Sequence, residues 1–349
     1  MKIGHIAGAL RRLMATVAVV VTVSALGGCG LVPKIIELHA AAANGKAATT
    51  LRIAAQPYPL YSDVLVAHRL GYIKQELAKV GAAYTWDSFK SGPLVNEAMA
   101  AGNNDLGFAA DMPAILAKSS GQPIRVVSNV AYGEKALAIM VPSDSTIRSV
   151  SELKGKKIAY AKGSYAQHLL ALRLSEVGLG LNDIQTVNLG AEDQIPAIEN
   201  HQVDAIVIWE QYITQLERSG KARVLADGTG VKRGNMVSYA TESFIKAHPK
   251  VIKAYNRAVQ RGADLIASDP DKAAKAISGD LKVSVSDLKV IWSHLTFDTK
   301  LSDADIRAIG EVKDFALKND MLTHDFDMRN FIDTQYLIDG ATDAASKED

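Results

Sequence analysis

The sequence predicts an α/β protein in which mostly parallel sheets are covered by helices. From Leu51 onward, short runs rich in β-branched and apolar residues alternate with longer stretches of helical periodicity. Such alternation is typical of parallel sheets whose strands are joined by helices. The chain has 349 residues, enough for two ordinary domains, each with its own core. From Thr241 on, strand signals almost disappear, so the last third is predicted to be a helical cap on one domain.

The predicted strands are short and lie between Leu51 and Ala240. They span residues 51–55, 84–89, 106–109, 124–130, 137–141, 157–161, 184–188, 205–209, 222–225 and 237–240. The clearest predicted helices span residues 164–177, 210–218 and 249–267. In the last of these, apolar residues recur at helical spacing, which predicts one buried face.

The first 28 residues have the three-part layout of a secretory signal. Lys2, Arg11 and Arg12 provide the positive start, and residues 13–26 form an almost unbroken run of apolar or small residues. This run is shorter than the roughly 20 residues that a helix needs to span a bilayer. We therefore expect residues 1–28 to be a signal peptide, with a short membrane anchor or a buried helix as the alternative.

The only cysteine of the chain, Cys29, ends the sequence Leu26-Gly27-Gly28-Cys29. This sequence matches the lipobox, at which bacterial lipoproteins are diacylated on the cysteine sulfur and cut just before it. A single cysteine forms no internal disulfide, so lipidation of Cys29 is its best-defined use. Residues 29–50 are then expected to be the lipidated cysteine and a flexible linker, most clearly in the polar stretch 40–50. The protein would work outside the cytoplasm, in the periplasm or at the cell surface.

The charge balance excludes several partners. Without residues 1–28 the chain has 36 basic and 38 acidic residues and a net charge of −2. It contains no basic patch, so we expect no nucleic acid partner. No second apolar run is long enough to cross a membrane, so we expect the part after Cys29 to be soluble.

Polar and aromatic residues follow five predicted strands, where ligands of parallel α/β sheets bind. Helix starts at such junctions offer free N–H groups and the positive end of the helix dipole to an anion. Ser164 is expected at a helix N-cap, Pro93 at a first helical position and Asp111 as a simple N-cap, and Trp209 is expected to wall a pocket. Ordinary capping is the alternative at each junction. The junctions are 56–59, 90–93, 109–113, 161–164 and 207–210.

The sequence gives little support to an enzyme. Its histidines lack metal-ligand spacing, and it contains neither a nucleophile elbow nor a P-loop. His168 is expected one turn inside the helix that Ser164 opens, in a packing role and not a catalytic one. The glycines Gly228, Gly230 and Gly234 have the wrong spacing for a dinucleotide loop. We expect no cofactor, no metal and no catalytic residue.

Taken together, the segments resemble the substrate-binding proteins of bacterial ABC importers, in the group that binds alkanesulfonates, taurine and nitrate. The resemblance covers residues 51–335 and is most specific between Glu152 and Trp209. The stretches that carry it are Phe89-Lys90-Ser91-Gly92-Pro93, Asp105-Leu106-Gly107-Phe108, Val150-Ser151-Glu152-Leu153-Lys154-Gly155-Lys156-Lys157-Ile158-Ala159, Lys162-Gly163-Ser164, His168-Leu169-Leu170, Val203-Asp204-Ala205-Ile206-Val207-Ile208-Trp209 and the helix from His248-Pro249.

The resemblance implies a two-lobed periplasmic binding protein type II fold with the ligand in the cleft. Residues 51–133 and 236–349 would form the first lobe and residues 134–235 the second, closing by a hinge motion. The partners would be a small-molecule ligand, the permease and its ATPase, and the membrane through Cys29, and we expect a monomer. Carried over position by position, the ligand-binding residues are Gln56, Pro57, Ser91, Gly92, Ala110, Asp111, Gly163, Ser164, Tyr165 and Trp209, with Tyr239 as an addition.

The sequence differs from those of sulfonate-binding proteins at positions that are expected to determine which ligand is bound. Sulfonate binders tend to continue Lys162-Gly163-Ser164 with small hydroxyl residues, whereas Tyr165 follows here. Carboxylates near the cleft (Asp111, Glu210 and Glu134) would repel a bare anion unless they are capped or paired, and could instead accept an ammonium or N–H group. The alternatives therefore include a nitrogen-containing or aromatic ligand, a ligand sensor, and an enzyme related to pyrimidine-precursor synthases, whose cysteine cluster is missing here.

Overall fold

The computed structural model describes residues 37–39 and 49–337 of the chain. The predicted signal peptide, Cys29 and most of the predicted linker lie outside these residues. The described part contains two mixed sheets flanked by helices, which confirms the predicted α/β class. The strands are β1 (Glu37–His39), β2 (Thr49–Ala55), β3 (Ala82–Ser88), β4 (Leu106–Ala110), β5 (Ile124–Tyr132), β6 (Leu137–Pro142), β7 (Lys157–Tyr160), β8 (Gln185–Asn188), β9 (Ala205–Trp209), β10 (Ala222–Asp227), β11 (Met236–Thr241) and β12 (Thr296–Phe297).

The helices fill the connections between these strands and most of the chain after β11. They are α1 (Ser62–Arg69), α2 (Tyr72–Ala78), α3 (Gly92–Ala100), α4 (Asp111–Ser119), α5 (Tyr165–Glu176), α6 (Ala191–Glu199), α7 (Tyr212–Arg218), α8 (Glu242–Ala247), α9 (Pro249–Ser268), α10 (Pro270–Leu281), α11 (Val285–Trp292) and α12 (Asp303–Lys318). Short 3-10 segments occur at Pro59–Tyr61, Glu134–Ala136, Val150–Leu153, Leu181–Asp183, Met328–Asn330 and Thr334–Tyr336. None of the helices in the described ranges is both long enough and apolar enough to span a membrane.

The first sheet has seven strands in the order β1-β3-β2-β4-β11-β5-β12. Strands β3, β2, β4 and β5 point in the same direction, because β11 is antiparallel to both β4 and β5, between which it lies. The second sheet has five strands in the order β10-β6-β9-β7-β8. Here β6 is the one reversed strand, antiparallel to β9 and to β10. Both sheets are therefore mixed rather than purely parallel, each with one reversed strand inside a co-directional set.

The central strands are buried along their whole length. Every residue of β4 and of β6 is buried, as expected for a sheet covered by helices on both faces. Helix α9 has one buried face, formed by residues such as Val251, Tyr255 and Val259. This confirms the helical periodicity of that segment, since the burial follows the predicted spacing.

The predicted elements occur within two residues of their expected ends, with two additions. The last third contains one short strand, β12, which pairs with the end of β5. Strand β1 and the first residues of β2 lie in the segment predicted to be a linker; β1 pairs with β3 at the sheet edge. Strands of two and three residues carry too little periodicity to be recognised from sequence.

The chain passes between the two sheets twice. It leaves β5 for β6 through residues 133–136 and returns from β10 to β11 through residues 228–235. The two crossings are hydrogen-bonded to each other: Gly133 N donates to Arg233 O at 3.0 Å, and Gly228 N donates to Glu134 O at 2.8 Å. Glu134 Oε2 also accepts from Gly230 N at 3.1 Å. The crossings thus form one paired strip, so that the two sheets are joined along one side.

On one side of the molecule, two ion pairs connect elements of one sheet with those of the other. His294, between α11 and β12, lies 2.7 Å from the carboxylate of Glu210, which directly follows β9. Glu210 is fully buried and also accepts hydrogen bonds from the backbone N and the hydroxyl of Thr214. Arg218 of α7 pairs with Asp287 of α11 at 2.7 Å. Both pairs lie on the α7 and α11 side of the molecule.

The Glu210 contact raises the pKa of His294. The hydrogen bond to Glu210 and the charges of Glu210 and Glu217 raise it, while partial burial and Lys135 act in the opposite direction. An imidazole whose pKa is higher in the folded than in the unfolded chain stabilises the fold fully below the unfolded value of about 6.5. That stabilisation is lost as the pH rises through the higher folded value.

We predict that the free energy of unfolding decreases as the pH rises from about 6.5 through the raised pKa of His294. The substitution His294→Asn should remove that part of the pH dependence, on the order of 1 kcal/mol, because the imidazole is partly exposed although Glu210 is buried. The measurement is denaturant unfolding of both proteins between pH 5.5 and 8.5. His201→Asn is the matched control, since His201 is exposed and its nearest carboxylate, Asp144, is 3.9 Å away. Equal pH profiles for wild type and His294→Asn would contradict the assignment.

Candidate functional site

A cavity of about 230 Å³ lies between the two sheets, where strands of both sheets end. Residues at the carboxyl ends of β2, β4, β7, β8 and β9 line it, together with the start of α3 after β3. This is the edge at which open α/β sheets bind ligands. The lining residues are Gln56, Tyr58, Leu60, Tyr61, Ser91, Gly92, Pro93, Ala110, Pro113, Ala161, Lys162, Ser164, Tyr165, Asn188, Gly190 and Trp209.

Helices α3 and α5 are among those that begin at the cavity without a side-chain cap, as α6 also does after Gly190. Ser91 and Ser164 occupy the N-cap positions in extended conformation, but neither side chain accepts from the first turn. The hydroxyl of Ser164 instead donates to Ala161 O at 2.6 Å. The first N–H groups of a helix have no partner within the helix. These helix starts can therefore donate to an anion in the cavity.

Glycines fix the backbone at the starts of α3 and α5. Gly163 has a φ of +74°, a left-handed conformation that favours glycine, and it turns the chain from β7 into α5. Gly92 lies so close to the Pro113 ring that a Cβ atom would approach the proline Cβ to 2.7 Å. The close packing of Gly92 on Pro113 brings the starts of α3 and α4 together at the cavity.

Aromatic rings form most of the apolar wall. Tyr58, Tyr61 and Tyr165 are buried, and Trp209 is partly exposed at the end of β9. The rings of Tyr165 and Trp209 are 5.8 Å apart between centroids and inclined by 45°. Burial raises the pKa of Tyr165 well above its usual range, so its hydroxyl stays protonated. Within the described ranges that hydroxyl has no hydrogen-bond partner.

Among the residues that line the cavity, Lys162 is the only charged one. It is exposed at the rim, two residues after the end of β7. Lys90, which follows β3, and Glu192 of α6 form an exposed ion pair of 3.2 Å. This pair connects an element of the first sheet with an element of the second. A cation at the rim of a cavity attracts anions, and the helix starts inside can then hold them.

The three carboxylates expected near the cleft are all engaged by protein groups. Glu210 is bound to His294 and Thr214, and Glu134 accepts from the backbone of Gly230. Asp111 is 1% exposed, and its Oδ2 accepts from Lys232 Nζ at 2.9 Å. None of the three lines the cavity. The repulsion that bare carboxylates would exert on an anion is therefore reduced by pairing.

Lys232 also contacts His168, so that three buried side chains meet behind the cavity. Lys232 Nζ is 3.1 Å from His168 Nδ1, and because an ammonium group only donates, Nδ1 must accept. Burial, followed by the charge of Lys232, lowers the pKa of His168 to about 2, so the imidazole is neutral. Its ring packs on Phe315 at 4.4 Å. His168 thus packs inside the protein, as expected for this helix.

Seven of the residues predicted for the site line the cavity, and four do not. The seven are Gln56, Ser91, Gly92, Ala110, Ser164, Tyr165 and Trp209. Pro57 is exposed, Gly163 forms the turn behind Ser164, and Tyr239 is fully buried with its hydroxyl donating to Asn96 Oδ1 at 2.6 Å. Asp111 is the first residue of α4, with Ala110 rather than Asp111 at the N-cap, and its carboxylate is turned to Lys232. Pro93 is the second helical residue instead of the first, because α3 begins at Gly92.

Several lining residues were not predicted. Tyr58 and Lys162 belong to junctions that the strand pattern identified, so the rule that ligands bind at strand ends could have found them. Asn188 and Gly190 follow a strand of four residues, and their composition carries no ligand signal. No group of three or more metal-ligating side chains occurs in the part of the chain that the structure describes.

Comparison with known proteins shows that the chain is similar to proteins named as binding proteins. The family model described as NMT1/THI5 like matches residues 59–273, more than half of the chain. A putative aliphatic sulfonates-binding protein of Escherichia coli (strain K12) is 33% identical over 198 residues, which are 53% of this chain and 60% of that protein. The chain thus spans less than two thirds of this relative.

Two longer matches extend the similarity. A putative aliphatic sulfonates-binding protein of Bacillus subtilis (strain 168) is 28% identical over 334 residues, which are 92% of this chain and 95% of that protein. The crystal structure of the periplasmic aliphatic sulphonate binding protein SsuA from Escherichia coli is similar with a TM-score of 0.72 and 26% identity, covering 81% of this chain and 97% of that one. The chain belongs to the NMT1/THI5-like family.

Proposed function

We propose that the chain is the extracytoplasmic substrate-binding component of an ABC importer and that it captures a small organic sulfonate. The main support is the composition of the cavity wall. Lys162 is the only charged residue that lines the cavity, and the uncapped starts of α3 and α5 offer N–H groups to it. A sulfonate has three acceptor oxygens for these donors. The names of the relatives, aliphatic sulfonate-binding proteins, and the periplasmic location of the SsuA protein support the same function.

The aromatic wall supports a sulfonate with an organic group over an inorganic anion. Tyr61, Tyr165 and Trp209 provide apolar surface that an ion such as nitrate would leave uncovered. The positions of the carboxylates support an alkanesulfonate over a ligand with an ammonium group, because Asp111 and Glu210 are paired and none of Asp111, Glu210 and Glu134 lines the cavity. Within the group that binds alkanesulfonates and taurine, the alkanesulfonate is thus the better-supported ligand.

Capture would involve closure of two lobes about the paired crossings. We assign residues 51–133 and 236–349 to one lobe and residues 134–235 to the other, so that each lobe supplies half of the cavity wall. The residues proposed to contact the ligand are Gln56, Ser91, Gly92, Ala110, Lys162, Ser164, Tyr165 and Trp209. The closed form would then be recognised by the permease and its ATPase. A sensor that passes the same closed state to a signalling protein is the second candidate function.

We predict that the chain without residues 1–28 binds ethanesulfonate in an isothermal titration, while nitrate and propionate bind at least about tenfold more weakly. The weaker binding of nitrate follows from the uncovered aromatic wall, and that of propionate from the loss of one acceptor oxygen. The absence of binding by every alkanesulfonate tested would contradict the proposal. Conversion of the ligand into a product during the titration would favour an enzyme.

Two variants of Trp209 test whether the ligand of the titration binds in the cavity. Trp209→Ala removes the indole from the wall and should weaken binding by about tenfold, because roughly one aromatic contact is lost. Trp209→Phe keeps an aromatic ring and should bind nearly as wild type. Equal affinities of the two variants would remove Trp209 from the ligand site.

We further propose that the protein is anchored to the membrane through a lipid on Cys29. The support is the sequence Leu26-Gly27-Gly28-Cys29 directly behind an apolar segment with a positive start. A tether near the permease would raise the effective concentration of the binder. We predict that the full chain, expressed in a bacterium, partitions into detergent, whereas Cys29→Ser remains uncut and unlipidated. If mass spectrometry finds the N-terminal peptide of the wild-type protein without a lipid, the proposed lipid anchor on Cys29 is contradicted.

A further inference from the structure

We propose that Lys232 determines ligand specificity by neutralising Asp111, so that the cavity accepts a sulfonate that carries no cationic group. This inference rests on the proposed function, since it names which sulfonates the same cavity selects. It assigns Lys232 as a positioning residue, because its ammonium group acts on the ligand through Asp111.

Asp111 lies immediately beside the cavity. The residue before it, Ala110, and the residue two positions after it, Pro113, both line the wall. Its carboxylate is 1% exposed, so water does not screen its charge. Without a partner, this carboxylate would repel a sulfonate held at the starts of α3 and α5, since charges interact strongly where water is excluded.

Lys232 is positioned to cancel that charge and has no second charged partner among the residues that the structure describes. Its side chain is 2% exposed, and its ammonium lies 2.9 Å from Asp111 Oδ2. Its other contact, His168, is neutral and accepts from the ammonium at Nδ1. The net charge of the three side chains is therefore zero. The same ammonium lies 6.0 Å from the ring centroid of Tyr165, which lines the cavity.

The arrangement makes Asp111 a latent binding group for cations. With Lys232 in place, its carboxylate is occupied and gives nothing to the ligand. If the ammonium of Lys232 were removed, an ammonium group on the ligand could replace it as the partner of Asp111. Lys232 thus decides between two sulfonates that differ only in an amino group, such as ethanesulfonate and 2-aminoethanesulfonate.

The test is an isothermal titration of four proteins with these two probes: wild type, Lys232→Met, Asp111→Asn and the double variant. Wild type should prefer ethanesulfonate. Lys232→Met should bind ethanesulfonate about tenfold or more weakly, and its preference should shift toward 2-aminoethanesulfonate by a similar factor. The double variant, in which no charge remains, should recover both the affinity for ethanesulfonate and the wild-type preference.

Denaturant unfolding of the same four proteins without ligand distinguishes charge compensation from loss of folding. Lys232→Met should be less stable than the double variant, because only the single variant leaves a buried carboxylate without a partner. The inference would be overturned if wild type and Lys232→Met had the same ratio of affinities for ethanesulfonate and 2-aminoethanesulfonate. It would also be overturned if the double variant folded but did not recover its affinity for ethanesulfonate. If wild type binds neither these nor other sulfonates, the proposed function itself fails, and the inference fails with it.

Discussion

The two short crossings between the sheets determine where everything else in the site can lie. Strand β5 ends at the gap between the sheets, and only residues 133–136 separate it from β6. A connection of this length cannot reach the far end of the next sheet, so β6 starts at the gap and runs away from it. The same holds for β11 after the return crossing, where Met236 pairs with Ala110 at the cavity. Strands β6 and β11 are therefore reversed within their sheets, and the co-directional strands beside them end at one gap.

This geometry brings helix starts from both sheets to the same cavity. Helices α3 and α5 follow β3 and β7 and begin without side-chain caps, whereas the start of α4 is occupied by its own Asp111. Buried charges near such a site must be compensated, because isolated ions are costly in a low dielectric. The structure pairs each of them with a partner distant in sequence: Asp111 with Lys232 and Glu210 with His294. As a result, the cavity retains donors for an anion and no free carboxylate.

Much of the fold could be predicted because the strands are continuous apolar runs bounded by polar turns. The same periodicity also located the strand ends, and with them the junctions that contain six of the seven predicted residues lining the cavity, whereas Tyr165 was predicted from the family resemblance alone. Tyr239 was carried over from the family resemblance, but its hydroxyl contacts Asn96 and its side chain does not line the cavity. In a strand buried on both faces, such as β11, no alternation of apolar and polar residues indicates which side chains face a cavity. The pairing of Asp111 with Lys232 spans 121 positions, and Lys232 lies in a segment without periodicity. Contacts of this kind depend on the tertiary fold and leave no local pattern.

We propose that helix starts from both sheets hold one sulfonate between them. The decisive experiment is a crystal structure of the chain without residues 1–28 in complex with ethanesulfonate. We expect sulfonate oxygens within hydrogen-bond distance of first-turn N–H groups of both α3 and α5, with the ethyl group against Tyr165 and Trp209. A sulfonate bound outside this cavity, or bound to the residues of only one sheet in a closed molecule, would contradict it.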